Sequence, residues 1–401
     1  MIIDNNRIIF SRFLLSVFAY NFFVVCKFAD ILAPNICNIF QLLVVLYVFS
    51  FIRIRDNSNF SRFENNTYLL LIIWFAFIVF NNLDKTVLNV GLALIDNQGL
   101  LCMALLSIMP RFINLNYLSK ILHYSLFWVV LSFILVIYKS TEMKSLFLQN
   151  EIVHAHTIFE GIHTYLGGGL VFLILFQDLL PKKYRVPINI LAVFYTFSAA
   201  ILGRRGILLL YFCSYLCYVY IRTYLFKKKN NTLFCILIIA FIIYYIISNY
   251  GEELFPFLYN RLLDDTRTET ENELIQDLSR SNDMILGRGL SGTYKSYFVD
   301  EYNRNGIETG YLNMVLKGGW IYVIIYGFFV IPAIIKGLFY SNNYIVKMLA
   351  IYCTLWLIYF NTASSNMSFS IRYVFFLFGI FICYNSFYRE INNEEINKYI
   401  N

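Results

Sequence analysis

Residues 310–335 read GYLNMVLKGGWIYVIIYGFFVIPAII, and Lys317 is the only charge among them. A helix needs about 20 such residues to cross the hydrocarbon of a bilayer. Outward from this stretch the pattern recurs. Apolar segments of spanning length lie near 8–27, 31–52, 67–83, 86–109, 119–138, 162–180, 186–202, 207–226, 232–249, 344–361 and 369–388. Asp96, Asn97 and Gln98 interrupt the segment at 86–109, which therefore reads as a broken or re-entrant helix. Of 401 residues, 59% are hydrophobic and 14% charged, whereas a soluble domain carries about 25% charged residues. The expected fold is an all-α polytopic integral membrane protein with about twelve transmembrane helices, and soluble-domain functions are excluded.

Loop arginines and lysines set the expected orientation. With the N-terminus cytoplasmic, Arg53, Arg55 and Arg62, then Lys182, Lys183 and Arg185, then Lys227, Lys228 and Lys229 all fall inside, as do Lys336 and Lys347. Both termini are then cytoplasmic, and the first apolar run reads as an uncleaved helix, since no small-residue cleavage site follows it. The chain divides into helices 1–249, one large outward loop 250–309, and helices plus tail 310–401. The loop holds twelve acidic and six basic residues. Within it Thr266 with Glu269, and Thr268 with Glu271, fit capping boxes, and Leu274, Ile275 and Leu278 give one apolar stripe. That pattern predicts an amphipathic helix of about four turns at the membrane surface. The eight cysteines lie in apolar runs without metal spacing and read as buried small side chains.

Four places carry candidate chemistry. Gly203-Arg204-Arg205-Gly206 sets two arginines at an outward hairpin, against the positive-inside bias. The guanidinium fork grips phosphate oxygens in two places, which points to a lipid-linked phosphate or diphosphate; the alternative is snorkelling to headgroups. Gly287-Arg288-Gly289 is a second arginine turn, whose backbone N–H groups can cradle an anion. Glu308, where the loop enters the helix at 310, is placed to accept a proton from a sugar hydroxyl, or serves only as a helix N-terminal acid. Lys317 can neutralise Glu308 or a phosphate, and Gly318-Gly319 suits close helix packing. His163, before Gly167-Gly168-Gly169, is a donor to phosphate or hydroxyl, or an interfacial histidine. Arg372 is an isolated charge just inside the last helix. His154 and His156 have no further ligand at metal spacing, no Asp-x-Asp pair exists to hold Mg²⁺, and no cofactor is expected. Nothing in the basic residues tracks nucleic acid.

The stretch from Arg267 through Gly287-Arg288-Gly289-Leu290, Tyr294 and Ser296 to Glu308-Thr309-Gly310-Tyr311-Leu312-Asn313 and Lys317-Gly318-Gly319 resembles the O-antigen polymerases (Wzy family), relatives of the O-antigen ligases. The layout is similar as well: about twelve spans, one large periplasmic loop late in the chain, and an arginine hairpin before it. The resemblance implies a glycosyltransferase at the periplasmic face of a bacterial inner membrane. Its substrates would be oligosaccharide repeat units on undecaprenyl diphosphate, and a chain-length regulator is a possible partner. The family's functional arginines would map onto Arg204 or Arg205 and onto Arg267, with Arg288 a further candidate. The ligases carry a histidine late in the loop where this chain has Glu308, which favours polymerase over ligase. Rival readings are a ligase-type transferase, a flippase for the same lipid, which should have short loops and charges in a central lumen, and a non-catalytic scaffold.

Overall fold

The computed structural model describes residues 2–52, 60–81, 99–148, 152–226, 266–281, 283–297, 303–362 and 368–400. The span expected at 232–249, the first part of that at 86–109, residues 250–265 of the loop and Cys235 lie outside the described residues. The described chain is almost wholly helical, with α1 Ile2–Phe28, α2 Pro34–Phe49, α3 Arg62–Phe80, α4 Leu100–Ile108, α5 Leu118–Leu148, α6 Ile152–Tyr165, α7 Leu170–Phe176, α8 Arg185–Ile201 and α9 Arg205–Tyr220. After these come α10 Thr266–Arg280, a two-residue hairpin (β1 Tyr294–Lys295, β2 Asn303–Arg304), α11 Gly310–Phe339, α12 Tyr344–Thr362, α13 Ile371–Tyr384, α14 Ser386–Glu390 and α15 Asn393–Ile400.

Among the described residues six helices are long and apolar enough to cross a membrane: Asn6–Phe28, Arg62–Phe80, Leu115–Leu146, Lys182–Ile201, Arg205–Leu225 and Gly310–Phe339. A seventh results if His154–Tyr165 and Gly167–Leu179, bent by 53°, form one broken span. Four shorter apolar helices accompany them: Pro34–Phe49, Leu100–Phe112, Tyr344–Phe360 and Ile371–Tyr384. This is the composition of an all-α membrane protein. Three segments differ in detail from the hydropathy reading. The helix expected at 67–83 begins earlier, because Ser61 and Glu64 form a capping box that satisfies the first free N–H groups. The one expected at 162–180 is broken at Gly167-Gly168-Gly169, a tight turn between α6 and α7. Third, α11 is two helices joined at Gly319, whose φ of 69° and ψ of −178° interrupt the helical path.

The helix ends fall into two layers. In the first, Lys336 of α11 pairs with Glu64 of α3, Asp178 lies between Arg185 and Arg222, and Asn343 donates to Tyr388 and Ile391 carbonyls. Tyr344 packs in a tilted contact on Phe226 in the same layer, and Tyr388 donates to Asn114. The opposite layer carries the loop, Asp30 facing His154, and the contact of Gly310 with Phe360. At the centre stands α13, every residue of which is buried, packed between α11 and α12.

Candidate functional site

The loop builds a small core of its own. Leu274 and Leu278 lie four apart on α10, so both reach the same face and are buried against Tyr294, Ile307, Leu312, Val315 and Leu316. Ile275, the third residue of the expected stripe, is 38% exposed. Three of those core partners belong to α11, so the packing of the loop continues past residue 309 into the segment ahead of Gly319. The expected amphipathic helix is present, and its apolar stripe docks on this short segment.

What seats the loop is the break at Gly319. The opened backbone there accepts from Arg288 N at Leu316 O (2.8 Å) and from Gly289 N at Lys317 O (2.9 Å), and donates from Trp320 N to Met284 O (2.8 Å). Leu290 N reaches further, to Ile78 O on α3 at 3.0 Å, and Trp74 donates to Gly318 O at 2.9 Å. Lys317 is buried and donates to Gly292 O at 2.9 Å, which ties the loop to α11.

Arg288 is likewise committed within the loop. Its Nε donates to Asp283 at 2.7 Å, one terminal nitrogen to Asp277 and Thr293 O, both at 2.6 Å, and the other to Ser281 Oγ and Asp277 O at 2.7 and 3.2 Å. All five N–H donors of the guanidinium are therefore occupied. Burial alone raises the Asp283 carboxyl, but hydrogen bonds from Ser281 and Arg288, with the Arg288 charge, outweigh it and hold the group below its ordinary range. Those carboxylates in turn keep Arg288 protonated beyond its ordinary range despite burial. The glycine turn expected to cradle an anion is in this structure the hub of the loop's fold.

Two other expected residues do meet in the open. Arg267, in the first turn of α10, pairs with Glu308 at 2.9 Å, and the two side chains are 36% and 58% exposed. They stay in register because Glu271, one turn after Arg267, accepts the hydroxyl of Thr309, while Glu273 accepts from Ser296 Oγ (2.7 Å) and Tyr297 N (2.9 Å).

The hairpin arginines lie in the same layer. Gly203 takes φ 63°, which turns the chain from α8 into α9 and leaves Arg204 as the residue before the helix. Arg204 pairs with Glu160 of α6 at 3.0 Å, and Arg205 opens α9. Glu160, Arg204 and Arg372 all lie within electrostatic reach of the Tyr359 hydroxyl on α12. Tyr359 is followed by Phe360, whose carbonyl lies 2.2 Å from where a Cβ on Gly310 would stand. Gly310 is two residues past Glu308. This end of α12 thus joins the Arg204–Glu160 pair to the junction bearing Arg267 and Glu308.

His163 is placed differently from the expectation. It is 2% exposed and its Nε2 hydrogen-bonds Tyr211 at 2.6 Å, beside Tyr195, which bonds Ser132 at 2.6 Å. One turn of α6 carries Glu160 outward and His163 into the bundle, so this histidine is an internal tie between α6 and α9. Just beyond it, the helix break brings Gly168 against Arg372, where an added Cβ would lie 2.3 Å from the arginine Cγ. Among the described residues, no three His, Cys, Asp or Glu groups stand close enough to hold a metal ion.

The partners of Arg288, and Tyr359 itself, were not named from the sequence. Asp277 and Asp283 lie in the same acidic loop, but nothing in their spacing singles them out. Tyr359 is one of 32 tyrosines. The Ser61–Glu64 box, by contrast, was readable as Ser-x-x-Glu before an apolar run. Compared with protein-family models, curated proteins and solved structures, the chain gives no match.

Proposed function

We propose that this protein is an O-antigen polymerase-type glycosyltransferase of the bacterial inner membrane, joining oligosaccharide repeat units carried on undecaprenyl diphosphate and releasing that lipid. The observation that carries the reading is the convergence of the exposed Arg267–Glu308 pair and the Arg204–Glu160–Tyr359 cluster on one end of the helix bundle. A glycosyl diphosphate departs readily once charge developing on its bridging oxygen is neutralised, and preorganised arginines supply that term. Arg204, Arg205 and Arg267 take this role. Glu308 accepts the proton of the acceptor hydroxyl as its oxygen bonds the anomeric carbon and the carbon–oxygen bond to the diphosphate breaks. Arg267 orients that carboxylate, and Arg288 acts at one remove by holding the loop.

The same reading makes the loop layer periplasmic, both termini cytoplasmic and the number of crossings twelve. The assignment of described helix ends to two layers supports it. A chain-length regulator is a fitting partner for such an enzyme. The test is a lipopolysaccharide gel from the native host with the gene deleted, then restored as wild type or Arg205→Ala. The expected result is a ladder reduced to core plus one repeat, rescued by wild type and not by the variant. Loss of all repeat-bearing bands points to a flippase or ligase, and an unchanged ladder overturns the proposal.

A further inference from the structure

The break at Gly319 divides α11 into parts of different character. From Trp320 to Phe339 it runs about 30 Å, the thickness of the hydrocarbon core of a bilayer. The residues before the break then lie beyond that core, and Lys317, a buried cation tied to the loop, belongs on that side. Aromatic side chains gather at the division, as they do where hydrocarbon meets headgroups. The ring of Trp320, 40% exposed, lies 6.5 Å from that of Tyr311. Trp74 of α3 donates to Gly318 O, and its ring lies 4.9 Å from that of Phe77. The membrane boundary at this end of the bundle therefore runs level with Gly319.

The loop turn from Asp283 to Gly287 is held at that level. Trp320 N donates to Met284 O, and the Ile285 carbonyl oxygen lies 1.9 Å from where a Cβ on Gly319 would stand. Gly287 N closes the turn on Asp283 O at 2.7 Å, and Arg288 grips the Asp283 carboxylate, so the tip is clamped at its base. Yet the tip presents Ile285 and Leu286, 61% and 49% exposed, whereas Leu274, Leu278 and Ile307 of the same loop are buried. A scattered apolar residue on a surface needs no explanation. These two are adjacent, and they are fixed beside the first residue of a spanning helix. Trp320, Ile324 and Phe328 of that helix, four apart and all exposed, form one stripe that faces lipid. We infer that Ile285 and Leu286 continue this apolar face and sit among the acyl chains of the leaflet at this end of the bundle. They anchor the loop to the membrane at a point separate from its backbone seat on α11. The lipid contact of the loop is thus its apolar turn and not α10, whose stripe is taken up by the protein. The inference rests on the membrane-spanning fold and is independent of the proposed reaction.

The full-length wild type is reconstituted in phosphatidylcholine liposomes doped with a phosphatidylcholine that carries a diazirine in the upper part of one acyl chain. After irradiation and digestion, adducts are mapped by mass spectrometry. They are expected on Ile285 or Leu286 as well as on Ile324 and Phe328, which report that the chains were sampled, and not on Ile275 of α10. Adducts on the spanning helix with none on residues 285–286 overturn the inference. In a second measurement, hydrogen exchange in liposomes compares wild type with the double variant Ile285→Ser, Leu286→Ser. Amides of residues 285–290 should lose about thirtyfold protection, the effect of withdrawing two half-exposed aliphatic side chains from hydrocarbon. Equal protection overturns the anchor. Should the double variant not fold, the photolabelling of wild type decides alone. If residues 285–286 escape the lipid probe in native membranes and crosslink instead to another protein or to a second copy, the turn is a protein interface and the inference falls.

Discussion

Replacing Gly319 by alanine should release the loop from the bundle, while the same change at Gly318 should not. At Gly319, φ 69° and ψ −178° lie in a region essentially reserved for glycine, where another residue costs on the order of 1–3 kcal/mol. The new Cβ would also fall 1.9 Å from the Ile285 carbonyl oxygen, so residues 284–289 must move. That movement breaks the Trp320–Met284, Arg288–Leu316 and Gly289–Lys317 bonds, each worth about 1 kcal/mol net. The combined loss is about 4–6 kcal/mol in favour of the unseated loop. At Gly318 the nearest atom is the Ile78 δ-methyl at 2.5 Å, a flexible end, and overpacking of this kind costs about 1–3 kcal/mol. Hydrogen exchange on purified protein reads the difference directly. Amides of residues 285–290 should lose about a thousandfold protection or more in Gly319→Ala and no more than about 150-fold in Gly318→Ala. Wild-type protection in Gly319→Ala, or an equal loss in both variants, would refute the claim that the helix break is the loop's seat.

Arg267→Ala and Glu308→Gln should abolish chain extension on a lipopolysaccharide gel while changing the unfolding temperature little, because a half-exposed ion pair is worth at most about 1 kcal/mol. Breaking the Glu64–Lys336 pair at the opposite end should do the reverse: with Glu64 almost fully buried, Lys336→Met should destabilise by about 3–5 kcal/mol, and adding Glu64→Gln should restore much of it, as thermal unfolding of the three variants would show. The loop should loosen in acid. Asp283 is held below its unfolded value, so its stabilisation is complete above the unfolded carboxylate pKa of about 3.9 and is lost as pH falls through the lower folded value. Exchange of residues 283–295 should therefore rise on acidification below about pH 4, and Asp283→Asn should remove that dependence.

Much of the helical framework was legible because apolar length and charge exclusion are local properties. Residues 310–335 and 119–138 needed no knowledge of neighbours to be read as helix. Where a helix breaks was harder to read. Gly318-Gly319 was expected to allow close packing, and Gly318 does lie against Ile78, whereas Gly319 is the discontinuity; the letters are identical and tertiary hydrogen bonds decide between them. Arg288 was recognised as a focal residue but given an external anion, because Asp277 and Asp283 converge on it only after α10 has docked. His163 was read as a donor to phosphate or as an interfacial histidine, yet helical phase turns it from Glu160 into the bundle, where it meets Tyr211. The pairing of Arg267 with Glu308, distant in sequence, joined two residues that had been picked separately.

The measurement closest to the central claim is chain extension by the purified protein. Reconstituted in liposomes with undecaprenyl-diphosphate-linked repeat units from the native host, wild type should convert single repeats into a ladder and release undecaprenyl diphosphate, while Glu308→Gln and Arg267→Ala give none. Liposomes in which single repeats persist unchanged, with the protein folded and the lipid bound, would contradict the account.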